Sequence, residues 1–503
     1  MNQKTALEIL KMGHNVFLTG PAGSGKTYLL NQYIQYLKDK RIEVAVTAST
    51  GIAATHMNGI TVHSWSGMGI REKITDYDLK KIAKNRRIMK GIAKTKVLII
   101  DEVSMLHAYQ LDNVDLICRS LKEPFLPFGG LQVILCGDFF QLPPVSKNEK
   151  GAKFAYVSES WQAMEIKVCY LDEQHRQKDD RLLKVLNQIR SKQVDDETLE
   201  IILSRENMDI EGAIKPTKLF THNADVDAIN NIELAKLKEK PFAYSMRAQG
   251  NRRLTEFLRK GCLAPEKLIL KKGAQVMFVK NNFEKGYVNG TMGKIIGFDS
   301  ESKMPIVKTF SGQKITALPA TWEVDDNYEI VAQITQIPLR LAWAITVHKS
   351  QGMSLDAAEI DLRKSFEFGM GYVALSRVRA LSGLKLLGVN ETALEINSEI
   401  YEFDKELFAQ SVKDEEEMRK TDWFSRRKKR KKFLDRNAQD KSHEKAYDVD
   451  EIRREHKNAY APWSPEDDMK LLKFKDKSVP ELAKMFGRKE GAIRSRLAKL
   501  LEI

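Results

Sequence analysis

Cysteine is scarce. The four present, Cys118, Cys136, Cys169 and Cys262, lie far apart and form no C-x-x-C pair. That argues against a zinc site or a disulfide framework, and for a reducing compartment. Long apolar runs are missing too: nothing approaches the ~18 residues a membrane span needs, so no membrane partner is expected. Residues 1–15 are polar and run straight into a motif, so no secretory leader is expected either. Acidic residues are the minority among charges, 68 against 82 Lys plus Arg, and the net charge of +14 points to a polyanionic partner. Core-forming material is ample at 42% hydrophobic residues, and 503 residues favour several domains.

Residues 16–20, Val-Phe-Leu-Thr-Gly, are a short apolar run of the kind that forms a buried parallel strand. Gly20-Pro21-Ala22-Gly23-Ser24-Gly25-Lys26-Thr27 follows at once, and Tyr28 to Leu37 reads as a helix. Strand, glycine-rich loop and helix together make the full context of a phosphate-binding loop. The glycines let backbone N–H groups turn inward around phosphates. Lys26 brings a positive charge to the β and γ oxygens, and the Thr27 hydroxyl can ligate Mg²⁺. Gly20 to Thr27 are thus the candidate cofactor-binding residues, with ATP and Mg²⁺ as the expected cofactors.

A second apolar run, Val97 to Ile100, ends in Asp101-Glu102. A carboxylate pair at the tip of a buried strand beside a phosphate loop has an expected use. Asp101 joins Thr27 in the Mg²⁺ shell, and Glu102 orients or deprotonates the attacking water. The third run, Leu131 to Cys136, leads into Gly137-Asp138-Phe139-Phe140-Gln141-Leu142-Pro143-Pro144-Val145. The two prolines remove two donors and stiffen the loop. Gln141 suits a γ-phosphate sensor, because it bonds an oxygen without carrying charge.

These blocks, with Thr50-Gly51-Ile52-Ala53-Ala54 and Thr61-Val62-His63-Ser64 between them, resemble the PIF family of superfamily-one DNA helicases. The resemblance continues through Leu171-Asp172-Glu173-Gln174-His175-Arg176-Gln177, Thr346-Val347-His348-Lys349-Ser350-Gln351-Gly352 and Tyr372-Val373-Ala374-Leu375-Ser376-Arg377-Val378-Arg379. Departures are small: Ser49 stands where proline is common, and the stretch between His63 and Val97 is short. The resemblance implies that Gln3 reads the adenine and that Arg176 and Arg377 are arginine fingers. A fixed guanidinium neutralises charge spreading over a transferring phosphoryl group, which fits that role. Arg379 matches no catalytic position and reads as structural or a surface charge.

The implied activity is ATP-dependent 5′-to-3′ translocation on single-stranded DNA with unwinding of forked or tailed duplex, in DNA repair, recombination or genome maintenance, telomere maintenance included. A monomer on DNA is implied. RNA–DNA hybrids, G-quadruplexes and RNA stay open as substrates. The location is nucleoid-associated cytoplasm in a bacterium or the nucleus in a eukaryote. The DNA grip is expected from Thr50, Gly51, His63 and Ser64 on one lobe and from Thr346, His348, Lys349 and Ser350 on the other. Hydroxyls and amides hold phosphates without reading sequence. Trp65 stacks a base or fills the core. The charged stretch Ile70 to Lys96 is a strand separator or a solvated helix.

The fold class expected is α/β: two RecA-like P-loop domains, a small inserted β-barrel and a C-terminal three-helix domain. The first RecA-like domain is placed at 1–165, and the second at 166–267 and 334–390. Glycines between short β-rich pieces, and the hairpin signal Asn289-Gly290, put the barrel at 268–333. Residues 391–459 read as a helix and then a charged linker holding seven consecutive basic residues, Arg426 to Lys432. Residues 460–503 open with Ser464-Pro465-Glu466-Asp467, a helix start with cap, proline and acids in order. A second helix begins at Ser478 and ends at Gly487. A third carries Arg494 and Arg496, and the unit resembles a Myb/SANT-like helix-turn-helix whose last helix enters the major groove. Protein docking is the other reading of such a unit. For the whole chain, the alternative to a helicase is a DNA-stimulated switching ATPase that remodels DNA–protein complexes without unwinding.

Overall fold

The structure is a computed structural model that describes the chain apart from residues 58, 70, 145–152, 174–178, 211–215, 221–225, 283, 327–328, 439–455, 459–462 and 501–503. It divides into two compact units, Met1–Ala438 and Gln439–Ile503. The larger unit opens with a six-stranded parallel sheet ordered β3-β2-β4-β5-β1-β6. Its strands are β1 (Asn15–Thr19), β2 (Val44–Ala48), β3 (Ile60–Thr61), β4 (Val97–Asp101), β5 (Gln132–Cys136) and β6 (Ile166–Tyr170). Every residue of β4 and β5 is buried, as in a parallel sheet covered on both faces. Helices α1 (Gln3–Lys11), α2 (Lys26–Asp39), α3 (Gly51–His56) and α4 (Val62–Ser66) belong to this lobe. Thr19, Asp101 and Cys136 end neighbouring strands on one edge, the edge where open α/β sheets bind ligands.

β6 pairs with β1 from Asn15↔Ile166 to Thr19↔Tyr170. The first lobe therefore runs past the expected boundary at 165. A short apolar run reads equally as the last strand of one domain or the first of the next, and only the pairing decides.

The second lobe begins with helix α5 (Asp180–Arg190) and strand β7 (Thr217–Phe220), and then the chain leaves it. The excursion holds β8 (Phe242–Ser245), β9 (Arg247–Gly250), helix α6 (Arg252–Gly261), β10 (Lys267–Leu270), β11 (Gln275–Phe278), β12 (Met292–Phe298), β13 (Pro305–Thr309), β14 (Lys314–Thr316), β15 (Ala320–Asp326), β16 (Glu329–Gln336) and β17 (Leu339–Leu341). The chain returns with β18 (Ala344–Thr346), β19 (Ala358–Leu362), helix α7 (Met370–Leu375) and β20 (Leu384–Val389). The second parallel sheet is ordered β18-β7-β19-β20. Within the excursion, β14-β13-β12-β11-β17 form an antiparallel sheet over a core that includes Leu234, Leu268, Val276, Ile295, Val307 and Leu339. That core reaches beyond both expected limits, 268 and 333. The hairpin β15–β16 stands apart and pairs with β9. With α6, which lies against α3 of the first lobe, it forms a separate arm.

Two further helices complete the larger unit. The edge strand β6 would expose unpaired amides, but α8 (Ser398–Lys420) covers it. Val168 N donates to Asp414 Oδ2 at 2.7 Å, and Tyr170 N donates to Ser411 Oγ at 3.0 Å. Helix α9 (Trp423–Asn437) lies where the sequence suggests a flexible or weakly helical linker. Phe433 is buried against Gly13, where a Cβ would sit 2.4 Å from the ring, and Arg430 pairs with Glu8. Arg426 caps α8 through Met418 O and Thr421 O. Three anchors at one-turn spacing dock a helix whose composition alone reads as solvated.

The smaller unit holds α10 (Pro465–Lys473), α11 (Val479–Phe486) and α12 (Glu490–Leu500), packed around Leu471, Leu482, Phe486 and Ile493. Ser464 with Asp467, and Ser478 with Glu481, form capping boxes, and Gly487 ends α11 at φ +59°.

Asp414→Ala leaves the buried Val168 amide unpaired and should lower stability by about 1–3 kcal/mol in denaturant unfolding. Glu417→Ala removes only the solvent-facing partner of Lys167 and should change it by less than about 1 kcal/mol.

Candidate active site

The loop from Gly20 to Gly25 joins β1 to α2 and takes a path that glycine allows. Gly20 has φ +134°, and a Cβ there would sit 2.2 Å from Leu171 O; Gly25, at φ +85°, caps α2. Lys26 Nζ donates to Gly20 O at 2.7 Å and Pro21 O at 3.0 Å, which places the ammonium over the loop. Burial lowers its pKa, while Asp138 and Glu102 pull the other way. The buried Ser24 hydroxyl has no hydrogen-bond partner among the described residues, a group that suits an incoming phosphate oxygen. Gln3 Nε2 reaches Ser24 O at 3.4 Å, so the residue singled out for adenine sits beside the loop.

Asp101 and Glu102 stand across from Lys26. Burial raises the Asp101 pKa. Glu102 adopts φ +52° and is pushed up to about 7 by burial and by the charge of Asp101, against the pull of Lys26 and Arg377. A carboxyl poised near neutrality is suited to take a proton from water. Gln351 Nε2 donates to Glu102 Oε2 at 3.0 Å and to Gln141 Oε1 at 3.3 Å. Gln351 Oε1 is buried and has no partner among the described residues. It lies within a motif quoted from the sequence, yet its amide reads there as one polar residue among several.

Arg377, 1% exposed, donates to Val373 O, Ser376 Oγ and Ser350 O at 2.9, 2.6 and 3.4 Å. It also lines the cleft of about 680 Å³ that gathers Lys26, Thr27, Asp101, Glu102 and Gln141 from the first lobe with Gly352 and Ser354 from the second. Arg379 lines the same cleft and pairs with Asp356 at 2.9 Å. Arg176 lies outside the described residues.

A second set of residues ties the lobes together, and sequence reasoning missed it. Asp138 sits in the loop after β5 and is 1% exposed. Arg190, at the end of α5, donates to both its oxygens at 2.8 and 2.9 Å. Burial alone would raise the Asp138 pKa; Arg190 and Lys26 overrule it and hold the carboxyl below its usual range. Arg190 also donates to Tyr170 OH and Asp404, and stacks over Phe140 at 4.1 Å. Tyr372 OH, on α7, accepts from Arg190 and from the phosphate-loop amide Ala22 N, both at 3.1 Å, and donates to Asp138. Asp138 and Tyr372 stand in quoted motifs; for Arg190 only the partner, distant in sequence, reveals the role.

The expected DNA contacts separate into groups. Thr50 and Gly51 stand at the start of α3, where Thr50 Oγ1 accepts from Ala53 N. His63 on α4 meets Gln110 at 3.0 Å, and burial lowers its pKa. Ser64 is exposed beside it, and Trp65 packs in the core. Thr346 ends β18 and is 9% exposed. His348 and Lys349 lie in the helix Val347–Ser350, and their side chains are not among those described. Ser350 is a correction: it is fully buried and its hydroxyl donates to Val347 O, so it turns inward, away from any phosphate. Arg496 is another. It forks onto Asp468 at 2.7 and 2.6 Å and lies over Trp463, bracing its own unit. Arg494 is exposed beside Glu490.

A phosphate loop, an acidic pair one strand-end away and polar groups from a second parallel sheet closing over both define a two-lobed P-loop nucleotide hydrolase. Residues 2–201 match the PIF1-like helicase family, and residues 254–298 match the 2B domain of DNA helicase Pif1. An ATP-dependent DNA helicase Pif1 of Psychrobacter is 46% identical over 457 residues, covering 79% of this chain and 69% of the relative. The match with that of Xenopus laevis, at 36% identity, takes in 80% of this chain and 63% of the relative, so the chain spans less than two thirds of that length. Among solved structures, Bacteroides Pif1 in complex with ADP-AlF4 matches with TM-score 0.70 at 30% identity, covering 81% of this chain and 96% of the other. Bacteroides Pif1 with ADP-AlF3 and single-stranded DNA matches at 0.56 and 30%, with the same coverage. The chain belongs to the PIF1-like family of ATP-dependent DNA helicases.

Assignment of Glu102 as the group that takes the proton of the attacking water predicts that the acidic limb of kcat/KM for ATP hydrolysis falls near pH 7. In Gln351→Ala, which loses a donor that favours the charged form, it should move higher; a limb below pH 5 would contradict the assignment. Tyr372→Phe strands the Ala22 amide and should raise KM for ATP about tenfold in steady-state kinetics.

Proposed function

We propose that this chain moves 5′-to-3′ along single-stranded DNA and opens tailed or forked duplex, serving DNA repair, recombination or telomere maintenance. The observation that carries the reading is one cleft built from two lobes. Lys26, Thr27, Asp101, Glu102 and Gln141 come from the first, and Gln351 and Arg377 from the second. The bound single strand of the Bacteroides relative supports the track, and the forked duplex named with another Pif1 structure supports the substrate.

The chemistry follows from the side chains. Lys26 and the loop amides hold the β and γ phosphates, and Gln3 lies beside them on the adenine side. Glu102, held by Gln351, takes the proton of the attacking water. Gln141 shares that amide of Gln351 and registers the γ-phosphate. A Mg²⁺ ion bound with the nucleotide would be held by Thr27 and Asp101 and would supply charge neutralisation at the phosphate oxygens. Arg377 brings its charge to the transferring group when the lobes close, which links hydrolysis to lobe movement. Thr50, Gly51, His63 and Ser64 grip DNA from the first lobe, and Thr346, His348 and Lys349 from the second. Cycling between two grips yields steps, and pulling one strand past the protein surface opens the duplex.

Unwinding of one duplex with a 5′ single-stranded tail and one with a 3′ tail, with and without ATP, tests this. Opening of only the 5′-tailed duplex, only with ATP, and none by Lys26→Ala, is the expected result. DNA-stimulated hydrolysis with no opening of either would replace the reading with a switching ATPase.

A further inference from the structure

We infer that helix α9 is a second single-strand-binding surface, on the edge of the first lobe opposite the nucleotide cleft. Its placement is fixed by its anchors. Phe433 packs on Gly13, just before β1, and Arg436 lies beside Gly130, just before β5. Both positions precede their strands, whereas Asp101 ends its strand and Lys26 and Gln141 follow theirs. Five residues of parallel strand, roughly 16 Å, lie between the two edges.

The solvent face of α9 carries lysines without a direct partner among the described residues, Lys429 alone acting at a distance on Glu417 and His14. Arg426 and Arg430 turn inward as anchors. Lys428, Lys429, Lys431 and Lys432 are exposed and make no ion pair or hydrogen bond among the described residues. Lys428 and Lys432 are one turn apart, as are Arg427 and Lys431, an arrangement in which like charges oppose helix formation. Lys122 and Lys96, near Arg436, add to the same field. A surface that keeps such repulsion is matched to a polyanion.

The aromatics decide which polyanion. Phe424 is 76% exposed and Trp423 60% exposed, at the start of the same helix, and Phe424 shares its outer face with Lys428 and Lys431. Arg427 lies over the Trp423 ring at 5.2 Å. Lysines for phosphates and an open ring for a base are the two parts of sequence-tolerant single-strand binding. A duplex, with its bases already stacked, has no use for the ring.

Titration of the full chain with a labelled oligothymidylate of about eight nucleotides, the scale of one single-strand site, tests the inference. Two binding events are expected. In Lys428→Ala/Lys431→Ala/Lys432→Ala the weaker falls at least about tenfold, and its salt slope becomes shallower by about 2, from 0.7 per phosphate contact. Phe424→Ala weakens it about tenfold with the slope unchanged. All four positions are exposed, and DNA-stimulated hydrolysis at saturating long DNA stays within about twofold of the parent. Should the motor assignment fail, a single event lost in the triple variant still supports the surface. A second event that survives the triple variant overturns the inference. So does indifference to Phe424→Ala, or an equal loss on blunt duplex or polyglutamate, which would mark a general polyanion or protein-docking face.

Discussion

The buried ion pair of Asp138 and Arg190 is the constraint around which the motor is arranged. Taking both charges out of water is costly, and it is tolerable because each is held by further groups: Tyr170, Tyr372 and Asp404 around the guanidinium, Phe140 N and Tyr372 around the carboxylate. Those groups come from the first lobe, the second lobe and the helix that follows it. One satisfied network therefore sets the distance between two parallel sheets, and removing either Asp138 or Arg190 leaves the other charge buried without its main partner.

The nucleotide cleft inherits that geometry. Tyr372 holds the phosphate loop at Ala22, and five residues further along the chain Arg377 lines the cleft. Gln351 reaches from the second lobe to Glu102 and Gln141 in the first. Glu102 and Gln141 thus share one amide supplied from across the interface. Gln351 therefore ties the second lobe to the phosphate-facing side of the first without an intervening chain of contacts, and any lobe movement that shifts it changes the environment of Glu102.

What was legible in the sequence was what is local. The loop Gly20 to Thr27, the strand-end pair Asp101-Glu102 and the caps Ser464 and Ser478 each declare themselves within a few residues, because glycine conformation, strand burial and capping are short-range physics. What was not legible depends on pairing across the chain. β6 could be placed only by its ladder to β1, and the β15–β16 arm only by its partner β9. Arg190 carries no motif and acquires its role from Asp138, 52 residues earlier. Ser350 and Arg496 stand in suggestive company, and only burial and a forked bond to Asp468 show that they serve the fold. Helix α9 misled for a related reason: its charge is plain in composition, while the three side chains that dock it are scattered among the basic ones.

A double-mutant cycle on Asp138→Asn and Arg190→Met, read in DNA-stimulated ATP turnover and in unfolding free energy, tests the central claim most directly. The account predicts that each single change costs nearly as much as both together, a coupling of about 3 kcal/mol in stability with a parallel loss of turnover. Additivity within about 0.5 kcal/mol would contradict it, and would mean that the lobes are held together by something other than this pair.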